Sequence, residues 1–277
     1  MQLSVLISTT FRDPPGLTKL LHDLVGQTVP VGEVVIVIQR DYLKCFDDKE
    51  VEHVLRHFRE SLNLRYEIRE EIGLSKSRNR ALELACGDLL LIADDDCRYP
   101  AGLTQTIIDS CNTYGSADAW TFQVETPDGR PFKKYAPIAR RHDFRSLMHA
   151  SSIEIVLSKK VLAEGSALFD ERFGLGATFP SGEENIMLVD LLRRGFKVQY
   201  VPLPIVVHDE HQRQLTSDHL YAKGAMFRRM FGAQGGAWLA LFLAKKAIGH
   251  QLTGSMTASM VQGVKGYRDI RRMSEME

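Results

Sequence analysis

The apolar positions of this chain fall into short unbroken runs separated by helix-spaced patterns. Leu3 to Ser8, Val34 to Ile38 and Leu89 to Ala93 are runs of five or six residues, almost wholly apolar. Runs of that length read as strands buried on both faces, as in a parallel sheet. Between the first two, Leu17, Leu20, Leu21 and Leu24 recur at i, i+3, i+4 and i+7, one face of a helix. Pro14 and Pro15 suit its first turn, and Gly26 and Pro30 close it. A second helix is expected from about 48 to 59, with Val51, Val54, Leu55 and Phe58 inward, and a third strand over Leu64 to Ile68. Gly73 to Leu82 reads as a turn entering a helix, with Gly87 placed to cap its end. Strand and helix alternate in this way up to about residue 110, which predicts an α/β fold with a mostly parallel, Rossmann-like sheet.

The pattern then changes. Residues 115–160 read as β-rich and irregular, with strands at Thr121 to Glu125 and Ile153 to Leu157 and a turn at Pro127-Asp128-Gly129. A Gly-containing loop leads to a helix with Met187, Leu188, Leu191 and Leu192 inward. Ser181 and Glu184 have the spacing of a capping box at its start. Tyr200 to Val207 is a last strand, and Pro202 and Pro204 argue for an edge position. It runs into His208, Asp209, Glu210 and His211.

Candidate chemistry sits where the third buried run ends. Asp94, Asp95 and Asp96 follow it directly. In open α/β sheets ligands bind at the carboxyl ends of the strands. Three adjacent carboxylates repel one another, and a hard cation removes that cost; Mg²⁺ or Mn²⁺ is often shared between one or two carboxylates and substrate phosphates. A solvated acidic turn is the plainer reading. If the strand stays extended, alternation sends Asp94 and Asp96 to one side. Lys76, Arg78 and Arg80, in the first turns of a helix, form a candidate anion site; a basic surface helix is the alternative. No Gly-x-Gly-x-x-Gly follows the first strand and no Gly-x-x-x-x-Gly-Lys occurs, which argues against dinucleotide enzymes and P-loop NTPases.

Composition changes the picture in one place. The 277 residues are 44% apolar and 25% charged with zero formal net charge, which offers no global case for nucleic-acid binding. Residues 222–273, however, hold nine Lys and Arg against one acid, Asp269. Mixed with Trp238 to Ala244 (WLALFLA), that charge suits a helix on an anionic membrane surface, a basic outer face on a packed helical pair, or a homodimer contact. The expected division is therefore 1–214, a catalytic domain, and 215–277, a basic helical extension. Cys45, Cys86, Cys97 and Cys111 form no Cys-x-x-Cys pair and read as reduced cytosolic thiols. No signal peptide and no membrane span is expected, so the placement expected is cytoplasmic, with the inner face of the cell membrane as an option.

The order of segments resembles the inverting family 2 glycosyltransferases with the GT-A fold. LSVLISTTFR, the Leu-rich helix and GQTVPVGEVVIV look like their opening; GLSKSRNRAL, LLLIADDD and FDERFGLGATFPSGEEN resemble their Arg-Asn segment, Asp-x-Asp strand and acceptor-side loop. The resemblance implies transfer of a sugar from a nucleotide diphosphate, a UDP-sugar first, to a glycan or lipid-linked glycan in surface polysaccharide synthesis, with Mn²⁺ or Mg²⁺ as cofactor. It places Asp94 and Asp95 at the nucleotide-sugar, Asp96 on the metal, Thr9 and Arg12 in the nucleotide pocket and Arg78 at the base or phosphates. Glu184 falls at the catalytic base, Glu183 on the acceptor side, and His208 at a further metal or diphosphate contact. The chain departs from the family at Ile38-Gln39-Arg40-Asp41, where an Asp pair is usual; Gln39 offers hydrogen bonds to a pyrimidine edge instead. The rival readings are a non-catalytic sugar-nucleotide or glycan-binding protein and a metal-dependent nucleotidyltransferase. A phosphatase of the haloacid-dehalogenase type is disfavoured by Cys97 and Arg98 after Asp96.

Overall fold

The computed structural model describes residues 1–40, 46–162, 167–209, 216–248 and 256–274. Asp41, Cys45, Glu210, His211 and the expected boundary at 214/215 lie outside the described residues. The chain forms two compact units. The first comprises Met1–Ile72, Lys76–Leu168 and Leu191–Glu210; the second comprises Gly73–Ser75, Phe169–Asp190 and His211–Glu277.

The first unit is built on an eight-stranded, mostly parallel sheet flanked by helices. Its strands are β1 (Leu3–Thr9), β2 (Glu33–Gln39), β3 (Leu64–Arg69), β4 (Leu89–Asp94), β5 (Ala119–Glu125), β6 (Arg140–Arg141), β7 (Ile155–Ser158) and β8 (Val198–Val207), in the order β3-β2-β1-β4-β7-β5-β8-β6. The three expected buried runs are the centre of it: β1 pairs parallel with β2 and with β4, Val5 opposite Val34 and Leu91. Alternate residues of these strands (Leu3, Val5, Ile7; Val34, Ile36, Ile38; Leu89, Leu91, Ala93) share one core with Leu17, Leu20, Leu21 and Leu24 of α1 (Pro14–Val25), Val51 and Leu55 of α2 (Asp48–Arg56) and Leu103 and Ile107 of α4 (Leu103–Thr113). Their neighbours Leu6, Val35, Val37, Leu90 and Ile92 are equally buried on the opposite face. That two-sided burial is why the runs are unbroken. Each such side chain stabilises the fold by about 1.5–3 kcal/mol, and truncating Leu91 to Ala costs about 2–5 kcal/mol.

Four local expectations give way. The second helix stops at Arg56 and loosens into a turn, Phe58 N–H donating to Leu55 O at 3.1 Å; Phe58 is still buried. Gly87 is no helix cap, because α3 (Leu74–Leu84) ends three residues earlier. Its reason is close approach: a Cβ there would lie 2.4 Å from Ser4 Oγ and 2.9 Å from Gln2 O. The strand expected from Ile153 begins only at Ile155, after a short 3₁₀ turn over Ser152–Glu154. β7 then runs antiparallel between β4 and β5. β8 is not an outer strand along its whole length: Gln199 and Tyr200 pair with the two-residue β6. Pro202 and Pro204 come after that pairing, where a missing N–H costs no ladder bond on that side.

In the second unit α5 (Glu183–Arg193) begins, and α6 (Ser217–Phe231), α7 (Gly235–Ile248) and α8 (Met256–Ser274) follow. α6 and α8 approach until backbone meets backbone: a Cβ at Gly224 would lie 1.8 Å from Gly263 O. Much of the basic stretch is spent inside this unit. Arg229 bonds Asp170 and Asp190, Lys223 Nζ lies 3.4 Å from Asn185 Oδ1, and Arg228 donates to Tyr267 at 3.1 Å. No described helix is long and apolar enough to cross a membrane.

Candidate functional site

The candidate site of the first unit lies at the carboxyl ends of β1, β2 and β4. β4 ends at Asp94, and a turn follows at once, Cys97 N–H approaching Asp94 O at 3.4 Å. The extended conformation therefore does not continue to Asp96, and the three acids go to three partners. Arg78 NH2 donates to Asp94 Oδ1 at 2.8 Å, and Ser152 Oγ lies 3.4 Å from Asp94 Oδ2. Thr9, the last residue of β1, donates its hydroxyl to Asp95 and accepts from Phe11 N–H at 2.8 Å. His208 Nε2 lies 3.2 Å from Asp96 Oδ2.

The meeting of Asp96 and His208 has a backbone cause. Arg98 and Val207 exchange two hydrogen bonds, Arg98 N–H to Val207 O at 3.0 Å and Val207 N–H to Arg98 O at 2.8 Å. This ties the turn after β4 to the end of β8 across more than a hundred residues. Asp23 of α1 fixes the same turn, accepting from the Arg98 guanidinium at 2.6 and 2.8 Å and from Tyr99 N–H at 3.0 Å. His208 is further oriented by Nδ1, 2.8 Å from Asp209 O, and by the edge of Phe132.

The electrostatics differ from acid to acid. Burial, with Asp96 and Asp94 adding their charges, pushes the Asp95 carboxyl up to about 6 against the lowering effect of the Thr9 hydroxyl. The bond to Asp96 raises the His208 imidazole above its ordinary value and outweighs burial. Arg78 is 1% exposed, whereas the side chain of Asp94 is 33% exposed and that of Asp96 52%. A buried guanidinium thus holds an acid at the surface, and Asp96 faces outward beside an imidazole.

A carboxylate and an imidazole side by side suit Mn²⁺, which accepts oxygen and nitrogen, and leave coordination positions for diphosphate oxygens and water. Among the described residues no group of three His, Cys, Asp or Glu is placed to hold an ion alone. The donor set therefore fits a metal shared with a ligand rather than a closed protein cage.

The other expected residues fall variously. Gln39 is buried at the end of β2 and its amide donates to Ser77 Oγ of α3. Arg12 is exposed on the loop after β1. That loop is tight: Phe11 is the one non-glycine residue at positive φ (55°) among those described, and it is buried against Phe46. The cationic helix start does not act as one anion site, because Arg80 is turned to Glu67 and Glu83 and Arg78 to Asp94. In the second unit Glu183 is buried and Glu184 half-buried in the first turn of α5. The capping box does not form: Ser181 Oγ is buried without a hydrogen bond among the described residues. Gly182, at φ +100° and with Met226 Sδ 2.9 Å from where a Cβ would stand, turns the chain into the helix instead. Ser152, Ser77 and Asp23 carried no signal in the sequence; each is a short polar residue whose importance comes from a partner 38 to 75 positions away.

The model of the family described as "Glycosyl transferase family 2" matches residues 4–162, more than half of the chain. The chain belongs to this family. It is a glycosyltransferase of GT-A fold. Among solved structures, S. aureus TarS residues 1–349 aligns over 100% of this chain and 92% of its own, at TM-score 0.67 and 15% identity. The same protein in complex with UDP-GlcNAc gives a TM-score of 0.66. The mannosyltransferase PcManGT from Pyrobaculum calidifontis, in complex with GDP-Man and Mn²⁺, aligns over 99% of this chain and 83% of its own, at TM-score 0.59 and 16% identity. At these identities the likeness is one of fold. No match was found among curated proteins.

Proposed function

We propose that this glycosyltransferase is an inverting, metal-assisted enzyme that moves a sugar from a nucleotide diphosphate, a UDP-sugar first, to a hydroxyl of a glycan or lipid-linked glycan in surface polysaccharide synthesis. The observation that carries the reading is the Asp96–His208 pair beside Arg78–Asp94 at the end of β4. That TarS binds UDP and UDP-GlcNAc, and PcManGT GDP-Man with Mn²⁺, supports a nucleotide-sugar donor and a divalent ion.

In this reading Asp96 and His208 hold Mn²⁺ or Mg²⁺, which supplies Lewis-acid stabilisation of the leaving diphosphate when bound. Asp94, held by the buried Arg78, and Asp95, held by Thr9, accept hydrogen bonds from the nucleotide-sugar. Gln39, its amide held by Ser77, closes the inner end of the base pocket, and Arg12 lines the same pocket. Glu184 removes the proton from the acceptor hydroxyl. A single carboxylate base implies one displacement and inversion at the anomeric carbon. Glu183, buried next to it, belongs to the acceptor side. In the second unit the exposed Leu241, Val261 and Val264, with Lys245, Arg268, Arg271 and Arg272 on the same helices, suit a peripheral contact with an anionic membrane surface.

Calorimetric titration with UDP, dTDP, GDP and CMP, with and without Mn²⁺, tests the reading. The expected result is Mn²⁺-dependent binding of one diphosphate that is lost in Asp96→Ala. A protein that binds none of them under any metal condition would refute it.

A further inference from the structure

A polar cavity lies in the first unit, apart from the carboxylates of β4. Its floor is a cross-strand row: Thr121 of β5 stands opposite Tyr200 of β8, and Tyr200 opposite Arg140 of β6. Directly opposed residues share a face of the sheet. Lys133, Tyr135 and Glu154 form a wall, and the space is about 90 Å³. That is room for several water molecules and for a small oxyanion group.

The interior of the cavity is already satisfied. Glu154, 3% exposed, takes a hydrogen bond from Lys133 Nζ at 3.1 Å, and Lys133 also donates to Ser151 Oγ at 2.9 Å. Tyr135 OH accepts from Val124 N–H and donates to Glu154, while Tyr200 OH accepts from Gln123 and donates to Ala136 O. His142 lies between Thr121 Oγ1 and Ser146 Oγ at 2.7 and 2.9 Å. The rim is different. Lys134 and Arg140 are exposed there, and neither makes an ion pair with a described residue. They belong to a stretch, residues 130–145, with six Lys and Arg against one acid, Asp143, in a chain whose net charge is zero. Arg140 acts through space on Asp143 without a close ion pair, and a preformed polar cavity with two exposed cations at its mouth has the chemistry of an oxyanion site.

The cavity also has a short connection to the donor end. Ala150 and Glu154 line it, and Ser152 between them reaches Asp94 at 3.4 Å. We infer that this cavity receives an anionic group, a phosphate or a carboxylate, carried by the acceptor, so that the enzyme glycosylates a negatively charged acceptor. Naming the ligand as the acceptor rests on the transferase reading above; the binding of an oxyanion does not.

The test is titration of the metal-free, nucleotide-free full chain with glycerol 1-phosphate and with glucuronate, glucose serving as the neutral control at matched ionic strength. Wild type is compared with Lys134→Gln, Arg140→Gln and the double variant. Both positions are exposed, so the variants fold, which circular dichroism checks. The expected result is binding of at least one anion and not of glucose, weakened about tenfold by each single change and lost in the double variant, with diphosphate affinity unchanged. Whichever anion binds names the charged group. No anion binding by wild type, or binding equal in the double variant, overturns the inference. Failure of diphosphate binding in the earlier titration bears on the donor reading alone.

Discussion

Two arginine–aspartate clusters in this molecule are inverted copies of each other. At the end of β4 the arginine is buried, Arg78 at 1%, and its acid looks outward, the Asp94 side chain being 33% exposed. Between α5 and α6 the acid is buried, the Asp170 side chain at 9%, and the arginine covers it, Arg229 being 28% exposed. Burial alone would raise the Asp170 carboxyl, but the guanidinium groups of Arg172 and Arg229 outweigh it and hold it below the ordinary range. A buried cation that props up exposed carboxylates offers them to a ligand. A buried carboxylate under two cations offers nothing and holds its neighbours together.

The largest effect is expected at Arg229. In Arg229→Met the Asp170 carboxylate loses one of its two cations while staying desolvated, and Asp190 loses its bond to Arg229. Stability should fall by about 3–5 kcal/mol, read from urea unfolding, with diphosphate affinity of the folded protein unchanged. A loss under 1 kcal/mol would show that the cluster holds little. Next in size is Glu184→Gln. If Glu184 is the base, turnover falls by roughly 10²-fold or more, about 2.7 kcal/mol in the barrier, and diphosphate binding survives. The failed capping box makes this a clean test, because the substitution removes no cap bond to Ser181. Retained turnover would move the base elsewhere. Smaller still is the stability cost of Asp94→Asn. The amide oxygen still accepts from Arg78, so only the charge assistance is lost, about 1 kcal/mol. Nucleotide-sugar affinity should drop nonetheless, which separates the outward acid from the buried one.

How far the sequence announces these features follows from how local their causes are. β1, β2 and β4 are legible because burial on both faces demands an unbroken apolar run, and Asp94–Asp96 are legible because they interrupt it. His208 is visible only as the residue after a strand; that it meets Asp96 depends on the Arg98–Val207 bonds, which no pattern encodes. Arg229 counted in the sequence as one more cation of a basic tail, and its role depends on Asp170, 59 residues back. Gly87 looks like a helix cap by spacing and is instead a close approach to Ser4. The irregular region around β6 is the least legible, since Arg140 and Arg141 carry no strand pattern and pair with β8 through backbone alone.

The last and smallest effect is a dependence on pH that only the Asp170 cluster should show through Arg229. In the wild type the depressed pKa of Asp170 makes its contribution to stability fully present above the ordinary Asp value near 3.8, and it is lost as pH falls through the lower folded-state value. In Arg229→Met one of the opposing cations is gone, so the desolvation that Arg229 helped to overcome moves the Asp170 pKa upward. The variant then takes up its proton at a higher pH than the wild type, and its deficit is relieved earlier on acidification. The difference in unfolding free energy between the two proteins should therefore be constant near neutrality and shrink as pH falls through the ordinary Asp value near 3.8 and below it. Urea titrations at half-unit intervals measure it. A difference that stays constant to pH 3 would mean that Arg229 stabilises through packing of its side chain over α5, and that the charge on Asp170 is held by Arg172 alone.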